Sequence, residues 1–239
     1  MKKGRAGWRR MQTAICILGM ALVVPALLLA AFEWGALDRS HHQALYDALG
    51  SVEAAGVDKA ALSEIGDMLV DYLKEDRADL SMEAVVNGAK QPVFNQREVD
   101  HMADVLELFR LERRLVWGLL LPGLMLTAIG LFGSGWTKRL ALAGGIGQGF
   151  WLALAAFAAV WAAFDFNAVF LGFHRLLFRN DLWQLNPATD LMIRMLPEKF
   201  FAAVAVWAAG RMLIVQVALA ALWALPAALH RLPKRRKTA

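Results

Sequence analysis

The chain has 239 residues, is 58% hydrophobic and carries a formal net charge of +5. Its mean hydropathy of +0.43 is too high for an ordinary soluble domain of this size. The single cysteine, Cys16, excludes an intramolecular disulfide and a cluster of thiolate metal ligands. The composition therefore predicts a membrane protein.

Three uncharged runs are long enough to cross a bilayer core of about 30 Å, which takes about 20 helical residues. They are residues 11–32, 115–137 and 140–164. A fourth run, 200–229, qualifies if its one interior charge, Arg211, faces a bundle interior or a polar cavity. The sequence thus predicts an all-α membrane protein with four transmembrane helices.

The first 32 residues also fit a second interpretation, a cleaved signal peptide, because a basic start precedes an apolar core. That core is longer than the roughly 7–15 residues of a signal peptide, and no small-x-small cleavage site ends it. We therefore expect an uncleaved anchor.

Charge is distributed unevenly around the four predicted spans. Segments 1–10, 133–139 and 230–239 contain basic residues and no acids, whereas all the acids lie in 33–112 and 165–199. Because Lys and Arg concentrate in cytoplasmic loops, this predicts cytoplasmic termini and two extracytoplasmic segments. The sequence pI of about 9.6 then reflects membrane topology and gives no support for nucleic-acid binding.

The predicted organisation has seven parts. They are the N-terminus with span one (1–32), an extracytoplasmic cap (33–112), span two (113–137), span three (138–164), an extracytoplasmic interfacial segment (165–199), span four (200–229) and a basic cytoplasmic tail (230–239).

The cap is predicted to be small and mainly helical. Asp58 suits the N-cap of a helix whose apolar residues share one face, and a second helix is expected earlier, around residues 44–52. Asn87-Gly88 lies between two short β-prone runs and predicts a β-hairpin.

A helix that can continue into span two is predicted after the hairpin. Asn95, followed three residues later by Glu98, resembles a capping box at its start. This helix carries His101.

An amphipathic helix is predicted in the interfacial segment. Phe170, Phe173, His174 and Phe178 recur at three- to four-residue spacing, so they should share one face and lie apolar side down in the outer interface. Asn186-Pro187 predicts a turn after it.

Two features of the spans indicate helix–helix contact. The small residues of segment 143–149 allow close approach, and Gln148 and Gln216 are expected to hydrogen-bond across helices.

The histidines are the candidates for chemistry. His41 and His42 point about 100° apart on a helix, which makes them a poor ligand pair, and we expect two solvated residues. His101 shares a helix face with Glu98 and Asp104, either of which could hold its ring.

His174 lies among aromatics at membrane depth, where an ionisable group is costly. No nucleophile elbow or metal-binding helix accompanies it or the other histidines. Histidine acid–base chemistry without a protein nucleophile, and without a metal or cofactor, is therefore predicted.

At these residues the chain resembles a known family. The stretches "NQREVDHMADVLELF" and "FHRLLFRNDLWQLNPATDLMIRMLPEKFF", with four spans and an outer cap, resemble the bacterial lipoprotein intramolecular transacylases over essentially the whole chain. The resemblance implies that His101 and His174 are catalytic. At Asn186 the chain departs from the family, in which an acid is more usual.

The resemblance also implies a substrate, a lipoprotein whose N-terminal cysteine carries a diacylglyceryl thioether. An acyl chain would move from the sn-2 oxygen to the cysteine α-amine at the extracytoplasmic face of the bacterial cytoplasmic membrane. Further residues of the two stretches are expected to assist. Glu98, Asp104, Arg175 and Asn180 would support the histidines, and Phe170, Phe173, Phe178 and Trp183 would form an aromatic wall around the substrate.

Several points stay open from sequence. Which histidine is the base is unresolved, although the apolar surroundings of His174 favour it. Arg175, Arg179 and backbone N–H groups are all candidates for stabilising an oxyanion. A phospholipid-dependent N-acyltransferase and a non-enzymatic membrane sensor or assembly protein are the alternative functions, and the sequence gives no oligomeric state.

Overall fold

The structure is a computed structural model that describes residues 2–229, so the predicted basic tail lies outside the described residues. Within this range the order of elements is α1 Lys2–Ala36, α2 Arg39–Leu49, α3 Ser51–Ala55, α4 Lys59–Lys74, β1 Glu83–Val86, β2 Ala89–Pro92, α5 Gln96–Leu131, α6 Trp136–Phe164, α7 Phe166–Leu177, α8 Leu191–Met195 and α9 Glu198–Leu229. The predicted fold class, helical with one short hairpin, is confirmed.

Four of these helices are long and apolar enough to cross a membrane. They are Ala6–Ala36, Gln96–Leu131, Trp136–Phe164 and Glu198–Leu225. In the second, the uncharged run begins only at Leu115, so its first turns lie outside the predicted span.

The chain divides into two compact units. The first consists of residues up to Ala31, Arg113–Ala158 and those from Arg211, and the second of Phe32–Glu112 and Ala159–Gly210. Each has its own apolar core.

Close helix contact in the first unit depends on glycine. A Cβ at Gly144 would lie 2.5 Å from the Trp223 ring, so α6 and α9 meet where only glycine fits. The Gln148 side chain donates to the backbone carbonyl of Gln216. The predicted glutamine contact is therefore side chain to backbone.

Local capping signals shape the second unit. Asp58 accepts a hydrogen bond of 2.7 Å from the backbone N–H of Ala61 and starts α4, as predicted. The helix expected around 44–52 is broken at Gly50, whose φ of 66° belongs to the left-handed region. A turn at Asn87 and Gly88, both with positive φ, joins the two antiparallel strands.

The prediction that His41 and His42 are solvated is wrong. His42 is buried, and its Nε2–H donates to the carbonyl of Ala36 at 2.8 Å. The ring of His41 stacks on Trp207 with centroids 4.5 Å apart. Both histidines are structural contacts, because α2 packs its first turn against α9 residues Phe200 and Trp207.

Candidate active site

A complete capping box fixes the start of α5. The backbone N–H of Asn95 donates to Glu98 at 2.9 Å, and the backbone N–H of Glu98 donates back to Asn95 Oδ1 at 3.1 Å. Glu98 is only 1% exposed, and its second oxygen accepts the backbone N–H of Met192 at 2.6 Å. This carboxylate therefore holds α5 to α8 one turn before His101.

Helix α7 presents the second histidine. Asp165 caps its start by accepting the backbone N–H of Ala168 at 2.9 Å. His174 lies in the last turn, where its Nδ1 is 2.7 Å from the carbonyl oxygen of Phe170. Because a carbonyl can only accept, Nδ1 carries the proton, and Nε2 of the neutral ring keeps its lone pair.

The structure brings His101 and His174 together. Their ring centroids are 6.2 Å apart, and each residue is 8% exposed. Phe178 contacts both rings, with its centroid 5.3 Å from that of His101 and 5.6 Å from that of His174. The two histidines to which the family resemblance points therefore lie side by side.

Aromatic rings surround His174. Their centroids lie 4.2 Å from the imidazole for Phe170, 5.1 Å for Trp183 and 5.5 Å for Phe173. All four residues of the predicted aromatic wall therefore contact this histidine, and the resulting enclosure of rings is largely apolar.

Burial favours the neutral form of both imidazoles. It lowers the pKa of His101 to about 4, with a further contribution from His174. Burial also lowers the pKa of His174, although its hydrogen bond to Phe170 opposes the shift. Near pH 7 both rings are thus available to accept a proton.

The orientation predicted for α7 is wrong. His174 and Phe178 are buried within the protein, so their face does not point down into an interface. The exposed apolar residues are Leu176 at 81%, Phe173 at 50% and Leu177 at 40%. This face packs inside the protein because an ionisable imidazole exposed to lipid would cost free energy.

The expectation that Glu98 holds the His101 ring is also wrong, because both Glu98 oxygens accept backbone N–H groups. Asp104 instead accepts a hydrogen bond of 2.8 Å from Asn180. Among the described residues, Nδ1 of His101 is buried and has no hydrogen-bond partner.

Asn180 organises the loop after α7. Its carbonyl accepts the Trp183 Nε1–H at 3.0 Å, which fixes the ring that contacts His174. Arg175 is exposed and takes no part in the hydrogen bond between Asn180 and Asp104.

Sequence reasoning missed two further contacts. The Arg97 guanidinium, one turn before His101, donates to the carbonyl of Asp181 and lies 3.5 Å from its carboxylate. Phe201 packs on Phe170 at 5.4 Å. The Arg97 contact joins residues far apart in sequence through an exposed loop, and no local pattern signals it.

Within residues 2–229, no group of three or more His, Cys, Asp or Glu residues could hold a metal ion.

The family model for the lipoprotein intramolecular transacylase Lit matches residues 14–201, a range that includes both histidines. The chain belongs to the lipoprotein intramolecular transacylase family. It is therefore an acyltransferase and a membrane protein. No curated protein matches the transacylase chain by sequence.

Solved structures of Lit from Bacillus cereus share the fold of this transacylase. One, at 22% identity and a TM-score of 0.73, matches over 95% of this chain and 99% of its own. Two variants with a histidine replaced, one by arginine and one by alanine, match at 22% identity and a TM-score of 0.69. They cover 96% of this chain each, and 96% and 98% of their own.

Proposed function

We propose that this protein moves an acyl chain from the sn-2 ester of a diacylglyceryl group to the α-amine of a lipoprotein's N-terminal cysteine. The product is the lyso form, an N-acyl, S-monoacylglyceryl cysteine. The pairing of His101 and His174 within 6.2 Å inside a shell of aromatic rings carries the proposal. Family membership supports the lipoprotein substrate.

The substrate must be held folded for this reaction. The attack closes a ring through N, Cα, Cβ, S, two glyceryl carbons, the ester oxygen and the carbonyl carbon, an unfavourable size for a flexible chain. Holding reacting groups in place can contribute about 7–11 kcal/mol. Rigid rings such as Phe170, Phe178 and Trp183 suit this task, because they lose little entropy when they confine a lipid.

We assign His174 as the base that takes the amine proton. Its Nδ1–H is engaged with the Phe170 carbonyl, so the Nε2 lone pair is the available basic site. The α-amine has a free pKa of about 7.7–8.0, and only its neutral form attacks. As the N–C bond forms, one proton leaves the nitrogen for the imidazole.

His101 is then the acid that protonates the departing glyceryl oxygen as the ester C–O bond breaks. Its low pKa makes its protonated form a strong acid, suited to giving up a proton received through His174. One proton leaves the amine and one reaches the glyceryl oxygen, so no other reactant is needed. Arg175, Arg179 and backbone N–H groups remain the candidates for the oxyanion.

We place both termini in the cytoplasm and the histidines at the extracytoplasmic side. The segments without acids, 1–10 and 133–139, support this orientation, since basic residues stay on the cytoplasmic side. The domain boundaries predicted from the sequence follow from the same topology.

Intact and fragment mass spectrometry of a diacylated client lipoprotein tests the proposal. The client's mass should stay unchanged, fragments should show an N-acyl, S-monoacylglyceryl cysteine, and the N-terminus should stop reacting with amine reagents. A mass gain of one acyl group would indicate a phospholipid-dependent N-acyltransferase instead. An unchanged, amine-reactive client beside well-folded protein would support a non-enzymatic role.

A further inference from the structure

We propose that Asp104 binds the α-ammonium group of the lipoprotein substrate, so that the enzyme recognises a free, charged N-terminus. This inference rests on the proposed function, in which that amine is the nucleophile. Asp104 is a binding residue in this assignment and exchanges no proton with the substrate.

The position of Asp104 on α5 places it beside His101. It follows His101 by three residues, and side chains at this spacing are neighbours on a helix surface, with Cβ atoms about 5–6 Å apart. Burial and His174 lower the pKa of His101, whereas Asp104 raises it, as a carboxylate close to the imidazole should.

Asp104 is also connected to the other histidine. Asn180 donates to its Oδ2 at 2.8 Å, and the Asn180 carbonyl holds the Trp183 indole, whose ring lies 5.1 Å from His174. The carboxylate is thereby fixed at the edge of the aromatic enclosure, between the elements that supply the two imidazoles.

In the part of the chain that the structure describes, Asp104 forms no ion pair with a Lys or Arg side chain. Among the described residues no Lys or Arg lies within 4 Å of this half-buried carboxylate, and its hydrogen bond comes from the neutral amide of Asn180. Arg97, a basic residue two turns earlier on α5, forms an ion pair of 3.5 Å with Asp181. A carboxylate held this way beside the neutral imidazole of His101 is complementary to an ammonium group.

The negative charge of Asp104 can stabilise the substrate nitrogen whenever that nitrogen is cationic. Near pH 7 the substrate binds mostly as the ammonium, which releases one proton to solvent to become the neutral nucleophile. The nitrogen becomes cationic again when it attacks the ester carbonyl, and this second proton leaves for Nε2 of His174. A fixed carboxylate stabilises the cationic nitrogen at both stages, and the surrounding ring faces add attraction. Asp104 takes no part in either proton transfer.

Two unreactive analogues test the inference by direct binding in detergent. Both are dialkylglyceryl diether lipopeptides, which cannot transfer an acyl group. One has the α-amine, and the other carries 3-mercaptopropionyl in place of the cysteine and so lacks it. Wild-type protein should bind the amine-bearing analogue roughly tenfold more tightly at pH 7, as expected for one charge-assisted contact.

Asp104→Asn should bring this ratio close to one. The new amide oxygen still accepts from Asn180, so the loop contact is kept and only the charge is lost. Asp100→Asn is the matched control, because it makes the same change at an exposed position on the same helix, and it should retain the wild-type ratio.

An unchanged ratio in Asp104→Asn, or no preference in the wild type, would overturn the inference. If Asp104→Asn does not fold, the two analogues are compared on the wild-type protein at a pH above the amine pKa, where deprotonation removes the cation. The preference for the amine-bearing analogue should then disappear. A preference that persists there contradicts ammonium recognition. Conversion of a diacylated client by the wild type is tested separately, so failure of the proposed function is distinguished from failure of this assignment.

Discussion

The carboxylate of Glu98 accepts a hydrogen bond of 2.6 Å from the backbone N–H of Met192, although the two residues are 94 positions apart. The same side chain caps α5 by accepting the backbone N–H of Asn95. Glu98 is therefore a positioning residue, one helical turn from His101, and acts on the chemistry only through that helix.

Replacing Glu98 should loosen this connection. Glu98→Ala leaves two backbone N–H groups without their acceptor, and we expect a loss of about 2–4 kcal/mol in the free energy of unfolding. Turnover should fall with it, and Glu98→Gln, which keeps one acceptor oxygen, should be intermediate. Thermal unfolding and client conversion measure both effects. Asp100→Ala, at an exposed position of the same helix, should change neither, and equal behaviour of the two positions would contradict the role.

The two site histidines should each be essential. In the proposed mechanism His174→Ala removes the base and His101→Ala the acid, so we expect turnover to drop by at least about 100-fold, as general acid–base catalysis contributes about 10²–10⁴-fold. Client conversion is measured by mass spectrometry on variants that remain folded. His41→Ala, which alters only a stack on Trp207, should retain turnover per folded molecule. Near-wild-type activity in either site variant would refute the two-histidine mechanism.

The low pKa of His101 makes stability depend on pH. An unfolded histidine titrates at about 6.5 and the folded His101 at about 4, so between these values the unfolded chain binds more protons. Stability due to this group is fully present above about pH 6.5 and is lost as pH falls toward 4, by up to about 3 kcal/mol.

The comparison that isolates this effect is wild type against His101→Phe. Both proteins keep His42 and His174, so the difference between their thermal unfolding profiles at several pH values reports His101 together with its interaction with His174. The wild type should lose more stability on acidification. Parallel profiles would show that His101 is protonated equally in the folded and unfolded chains.

The ring of Trp183 should matter more than its hydrogen bond. Trp183→Ala opens the aromatic enclosure beside His174, and we expect kcat/KM to fall about 10- to 100-fold, because loose positioning is costly. Trp183→Phe keeps a ring and loses only the bond to Asn180, so it should retain most activity. Trp117→Ala, at a position 61% exposed on α5, is the control. A Phe variant as poor as the Ala variant would assign the effect to the loop.

Local signals in the sequence determined much of the fold. Three uncharged runs and a fourth with one charge predicted four long apolar helices. Asp58 and the Asn95–Glu98 box predicted two helix starts, and Asn87-Gly88 predicted the hairpin. Each depends on interactions within a few residues, which are the same in any tertiary context. The resemblance carried by two stretches then pointed to His101 and His174, whose rings lie 6.2 Å apart in the structure.

Only the tertiary structure decided what faces what. In the folded chain His174 is buried within the protein, and His42 is buried against Phe200 of α9. Glu98 accepts a hydrogen bond from the backbone N–H of Met192, and Asp104 accepts one from the Asn180 side chain. A helical repeat defines a face but not its partner. The partner is set by which packing buries the most apolar surface while most buried charges and N–H groups find a hydrogen-bond partner. Residues distant in the sequence supply those partners.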